Sequence, residues 1–263
     1  GYILLWIMNP HRLPIKSWKQ ELTFAGAGLT GMTLYYLMEN IALTYSQASN
    51  VGVIVSIAPV FTAITAHIFL KEEGKLRPAF FMGCVIALIG ISLISFSGTT
   101  MHLNPIGDLL SVGGAIIWSF YSVLSKKIGS FGYSVVQATR RTFFYGILFM
   151  IPALFIFDFK WDLIRFATPA YLFNIFYLGL GASAICFVTW NMAVRILGAI
   201  KTSVYIYLAP VVTAVTSVII LHEKITFLSG LGILLVVGGL LLSEQKKKFF
   251  SIRGRKQAEN VIE

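Results

Sequence analysis

Long apolar runs separated by short polar connectors dominate this chain. A helix that crosses a bilayer needs about 20 mostly apolar residues. Eight runs meet that length: residues 21–43, 51–70, 78–97, 106–124, 134–157, 170–194, 199–221 and 227–243. A ninth run, 1–8, is too short to span and reads as the end of a helix that begins upstream. The connectors at 9–19, 71–77, 98–105, 126–132 and 158–169 are punctuated by proline, glycine, asparagine or charge, and none could hold a soluble domain. The pattern predicts an all-α membrane protein, a polytopic bundle of transmembrane helices.

Composition sharpens this reading. The chain is 57% hydrophobic and 12% charged, with mean hydropathy +0.79. Soluble domains carry roughly twice that share of charge, and a soluble fold of this length has too little interior to hide so much apolar side chain. The net charge of +10 could suggest nucleic acid, but the cations sit between the apolar runs. If connector 9–19 is cytoplasmic and sides alternate thereafter, 18 of the 21 basic residues fall inside. Lys160, Arg165 and Lys224 fall outside. The positive-inside rule therefore predicts a multi-pass protein of a plasma or inner membrane, with a cytoplasmic C-terminus and no nucleic-acid partner.

The chain also repeats itself. Shifted by 151 residues, positions 40–73 align with 191–224 without a gap, with 13 identities in 34 positions that include Asn40/Asn191, Ala58/Ala209, Pro59/Pro210, Thr62/Thr213 and Glu72/Glu223. A two-residue deletion then aligns Gly83 with Gly232 and Gly90 with Gly239. Five crossings lie within the offset, an odd number, so the second copy is expected upside down. Inverted repeats around a midplane site support alternating access, and a receptor or membrane enzyme has no physical need of that symmetry.

The paired segments Ala-Pro-Val-Phe-Thr-Ala at 58–63 and Ala-Pro-Val-Val-Thr-Ala at 209–214 are each followed by an apolar stretch, a glutamate and a glycine-rich helix. Together with Asn104-Pro-Ile-Gly-Asp, Trp118 and Lys126-Lys127, they make the chain similar to the drug/metabolite transporter superfamily, and specifically to its EamA family of ten-helix permeases. The resemblance implies two five-helix halves around a central cavity. Residues 1–97 would form a first repeat lacking its first helix and most of its second, and these are expected upstream. Residues 98–105 would be a linker, 106–243 the second repeat and 244–263 a basic tail.

Candidate chemistry follows from polar groups set in apolar helices. Glu39 is the most embedded carboxylate, and ionisable groups at depth are functional candidates by default. It reads as a proton-coupling group or an amine partner, or as an interfacial residue reaching water. Asn40 and Asn191 could bind substrate or cap helices. Trp118, Tyr121, Trp190 and Tyr205 could line a cavity for amphipathic solutes or belong to interfacial belts. Pro59 and Pro210 free the carbonyls of Val55 and Ile206, which makes them candidate hinges, with Thr62 and Thr213 available to bond the nearby backbone. Arg140 and Arg141 are expected to snorkel to the cytoplasm. Gly26, Gly28 and Gly31 match a dinucleotide fingerprint, but no strand precedes them, so they read as helix-packing residues.

The resulting expectation is a secondary transporter of a small organic metabolite, an amino acid or drug-like solute, with efflux as one candidate direction. No cofactor, metal ligand set or catalytic group is expected, and a proton is the candidate coupling ion. The rival is a non-transporting membrane protein, an intramembrane enzyme, scaffold or receptor. An enzyme would need convergent polar groups at one face, and the chain has few.

Overall fold

The computed structural model describes residues 1–14, 16–70, 77–96, 104–157, 168–221 and 226–244. Glu72, Glu223, His222, Lys160, Arg165, Lys224 and the tail lie outside these residues. Every regular element among them is helical. In chain order these are α1 (Tyr2–Met8), α2 (Trp18–Gly28), α3 (Tyr35–Tyr45), α4 (Ala48–Val55), α5 (Ala58–Phe69), α6 (Pro78–Ser95) and α7 (Pro105–Gly129). There follow α8 (Val135–Ile156), α9 (Pro169–Phe176), α10 (Cys186–Leu197), α11 (Ala199–Val204), α12 (Leu208–Leu221) and α13 (Phe227–Glu244). The π-helical stretch Leu29–Leu34 carries α2 into α3, and Tyr177–Ile185 carries α9 into α10.

Among the described residues seven helices are long and apolar enough to cross a membrane: Ala48–Phe69, Pro78–Ser95, Pro105–Gly129, Val135–Ile156, Pro169–Leu197, Ala199–Thr216 and Phe227–Glu244. They coincide with seven of the eight sequence runs. The eighth run forms the continuous helix 18–45, whose apolar surface is interrupted by Lys19, Glu21, Glu39 and Asn40. Local chemistry sets several boundaries. The Ser17 side chain accepts from the Gln20 N–H at the start of α2, and Asn104 does the same for Ile106 and Gly107 ahead of Pro105. Gly198 ends α10 at φ +92°, a backbone region that favours glycine.

Helix boundaries recur at the spacing seen in the sequence. Trp18 and Pro169 open their helices 151 residues apart, as do Ala48 and Ala199. Moved by the same offset, Leu29–Leu34 falls within Tyr177–Ile185. With the offset shortened by two, Pro78–Ser95 falls on Phe227–Glu244.

The chain divides into two compact units, Gly1–Gly74 with Thr100–Ile206, and Lys75–Thr99 with Tyr207–Glu263. In the first, α7 packs against α2, α3, α4, α5 and α10, while α8 packs against α1 and α2. Its core gathers Phe24, Tyr121, Phe143 and Phe187. The glycines of the rejected fingerprint sit at these helix contacts. A methyl on Gly28 would lie 2.7 Å from Gly146 N of α8, and one on Gly31 would enter the Tyr121 ring of α7 at 2.3 Å.

In the second unit, α6 and α13 pack tightly side by side. A methyl on Gly83 would lie 2.5 Å from Gly239 O, and one on Gly90 would lie 2.6 Å from Gly232 O. The reciprocal approaches, from Gly239 to Gly83 and from Gly232 to Gly90, have the same lengths. Early α6 thus meets late α13, so the two helices run antiparallel. Small residues let backbones approach closely where lipid removes any hydrophobic drive to associate.

Candidate functional site

An aromatic cluster in the first unit collects three of the residues singled out in the sequence, Trp118, Tyr121 and Trp190. Trp118 of α7 lies 5.2 Å from Trp190 and 5.0 Å from Tyr121, ring centre to ring centre. Phe187 packs 6.0 Å from Trp118, and Tyr35 packs 4.8 Å from it. Such offset and tilted pairs each contribute about 0.5–1.5 kcal/mol beyond burial. The indole N–H groups of Trp118 and Trp190 are buried and have no hydrogen-bond partner among the described residues. Two buried donors lacking acceptors are costly, unless a ligand supplies the acceptor.

Asn191 completes the polar side of the cluster. Its Oδ1 accepts from Tyr121 Oη at 2.7 Å and from Ser125 Oγ at 2.5 Å, while its Nδ2 donates to Thr139 Oγ1 at 2.9 Å. One side chain thereby ties α10 to α7 and α8. Beside it, Tyr121, Ser125, Tyr133 and Arg195 border a cavity of about 20 Å³, room for one water.

Glu39 joins from the next helix. Tyr35 Oη donates to Glu39 Oε1 at 3.0 Å, so the carboxylate stands one side chain away from Trp118. Asn40 does not join. It is exposed, and its Nδ2 donates to Tyr36 O of its own helix at 2.7 Å. Tyr205 is 41% exposed and is not among the rings packed on Trp118.

Both prolines stand just after a break. Residues 56 and 57 separate α4 from α5, and Pro59 occupies the first turn of α5. There the Val60 N–H goes to Ile57 O at 2.9 Å, one residue short of the α-helical partner. In the second copy a 3-10 turn at Tyr205–Tyr207 precedes α12, which carries Pro210. The threonines behave unequally: Thr213 Oγ1 donates to Ala209 O at 3.0 Å, whereas the buried Thr62 hydroxyl has no partner among the described residues.

The structure corrects the expected snorkelling for Arg140, while the Arg141 side chain stays 31% exposed. Arg140 is 5% exposed. It donates to Asn9 O and His11 O and stacks on Trp6. Arg141 pairs with the buried Glu21, which also accepts from Tyr145. The connector carbonyls of Asn9 and His11 hold Arg140, and the buried Glu21 carboxylate holds Arg141. Tyr35, Ser125, Thr139 and Phe187 were missed in the sequence. Isolated hydroxyls and rings in apolar helices look like packing, and only the spacing of Tyr35 one turn before Glu39 could have flagged one of them.

Fold and site define the class, a multi-pass α-helical membrane protein. Comparison with known proteins places it further. The model of the EamA-like transporter family matches residues 1–96 and 105–244, and the chain belongs to that family. A transporter of Archaeoglobus fulgidus is 26% identical over 93% of this chain and 83% of its own length. Transporter YvbV of Bacillus subtilis is 28% identical over 94% of this chain and 80% of its own. A probable terminal-alkyne amino-acid exporter of Streptantibioticus cattleyicolor is 26% identical over 83% and 71%. One solved crystal structure shares the fold at TM-score 0.68 and 21% identity, covering 93% of this chain and 78% of that one. The protein is therefore a membrane transporter of a small-molecule substrate, not an enzyme.

Proposed function

We propose that this transporter moves a small organic solute bearing an amine, an amino acid or an amphipathic drug-like cation, by alternating access between two inverted halves. The observation that carries the reading is the α6–α13 pair. Gly83 and Gly90 correspond to Gly232 and Gly239 in the repeat, and they contact one another crosswise between antiparallel helices. That exchange is what a two-fold axis in the membrane plane would produce, and it supports the symmetry by which two equivalent states open to opposite sides. In this reading the first repeat spans 1–97, the second 106–243, and the cation bias places the C-terminus in the cytoplasm.

The aromatic cluster is the proposed binding site. Ring faces of Trp118, Tyr121 and Trp190 suit a cation or a flat apolar body. The two buried indole donors suit a carboxylate, and Glu39 suits an ammonium or a coupling proton. The amino-acid exporter among the relatives supports that substrate class. The rings pack on one another, and the water-sized cavity beside them is bordered by Tyr121, Ser125 and Asn191, not by either tryptophan. Asn40, Asn191 and Tyr205 are proposed as secondary contacts, and Pro59 and Pro210 as the paired hinges.

Flux into proteoliposomes, screened across amino acids, nucleosides and amphipathic cations, tests this directly. Trp118→Leu should lower flux of the accepted substrate about tenfold, the worth of roughly 1.4 kcal/mol of lost contact. Wild-type flux in that variant would move the site elsewhere. Glu39→Gln should flatten the pH dependence of transport, and an unchanged profile would remove Glu39 from coupling. Cysteines introduced near Ser46 and near Arg195 should label from opposite sides of the membrane; labelling from one side would end the inverted-repeat reading.

A further inference from the structure

We propose that the cavity between the 9–13 connector and the start of α8 is a binding site for a phosphate-bearing anion, supplied by an anionic phospholipid of the cytoplasmic leaflet. The cavity encloses about 330 Å³, within the range of small-ligand sites. Arg12, Arg140 and Arg141 line it together with Gln137, and Trp6 and Phe144 form apolar walls. None of these residues belongs to the aromatic cluster of the transport site.

The charge is unbalanced. Glu21 is tied to Arg141 by two guanidinium donors and answers one of the three cations. No carboxylate lines the cavity among the described residues. Arg140 is held rigidly, its guanidinium 3.6 Å over the Trp6 ring and its Nη2 2.5 Å from His11 O. Gln137 Nε2 lies 3.3 Å from both Asn9 Oδ1 and His11 O, which fixes the connector against α8. Arg12 remains exposed at the cavity edge. A preset pair of guanidinium groups with a third at the rim is a donor array matched to phosphate oxygens. Aromatic walls beside it suit the glycerol and first acyl carbons at the depth where tryptophan residues favour the interface. The connector belongs to the cation-rich side of the chain, facing the anionic leaflet.

The test is native mass spectrometry of the purified protein with defined lipids, alongside thermal unfolding with inorganic phosphate. Phosphatidylglycerol should be retained over phosphatidylcholine, and Arg12→Gln should weaken that preference about fivefold, the effect of one surface-near arginine. Arg140→Gln should abolish it. If Arg140→Gln does not fold, Arg12→Gln alone decides. A thermal shift with inorganic phosphate that Arg12→Gln removes, without selective lipid retention, would assign the same site to a free phosphate. Equal retention of both lipids with no phosphate shift, or a preference untouched by Arg12→Gln, overturns the site.

Discussion

Helices 18–45 and Pro169–Leu197 share one plan, two α-helical segments joined by a π-helical stretch, and they meet very different surroundings. The first is enclosed, with α2 and α3 packed on α7 and α2 also on α8. The second is bare over α9 and the start of its π-helical stretch, where Tyr171, Phe173, Phe176 and Tyr177 are all exposed, and is covered at α10, which packs on α7 and α8. Their chemistry follows their cover. Glu21 on the enclosed helix is 5% exposed and paired with Arg141, while the position 151 residues on is Leu172, 40% exposed. A charge taken out of water needs a protein partner, and α8 supplies one to Glu21 in Arg141. Repeat-related backbones thus diverge in side chain according to what packs on them.

Substitutions at matched positions can break or sharpen this contrast. The largest effect is expected at Glu21. Glu21→Leu leaves the partly exposed Arg141 guanidinium and the Tyr145 hydroxyl without their acceptor, a loss of about 1.5–3 kcal/mol, whereas Leu172→Ala should change stability by less than about 1 kcal/mol. Thermal unfolding in detergent measures both, and equal losses would show that burial does not separate the copies. Next comes Gly31→Leu. Its side chain would collide with the Tyr121 ring, costing about 1–3 kcal/mol. Gly181→Leu, one residue before the position that matches Gly31, has nothing closer than 3.8 Å to an added methyl and should be tolerated. The smallest effect distinguishes the two asparagines. Asn191→Leu should cost about 0.6–1.7 kcal/mol, the measured range for hydrogen bonds between membrane helices. Asn40→Leu should stay within about 0.5 kcal/mol, and a larger loss there would point to a partner beyond Tyr36 O.

Much of the architecture was legible in the chain because hydropathy reports a local preference for lipid over water. Seven of eight runs became spanning helices on that basis alone. Helix 18–45 was legible as a helix, but its charged residues gave no hint of being enclosed. The prolines located both breaks, since a missing N–H acts on its own helix wherever that helix packs. The candidate site was half legible. Trp118, Tyr121, Trp190 and Asn191 were recognisable as polar-tipped groups in apolar runs, but nothing local linked Glu39 to Trp118 through Tyr35.

Spacing, periodicity and cation bias are properties of neighbouring residues, and they determined which segments span and at what offset they recur. The tertiary structure alone decided that Asn191 would meet Tyr121, Ser125 and Thr139 while Asn40 turned back on its own helix, and that Arg141 would pair with Glu21. A partner 50 or more residues away is chosen by how helices pack against one another, and that geometry is written in no single run of the chain.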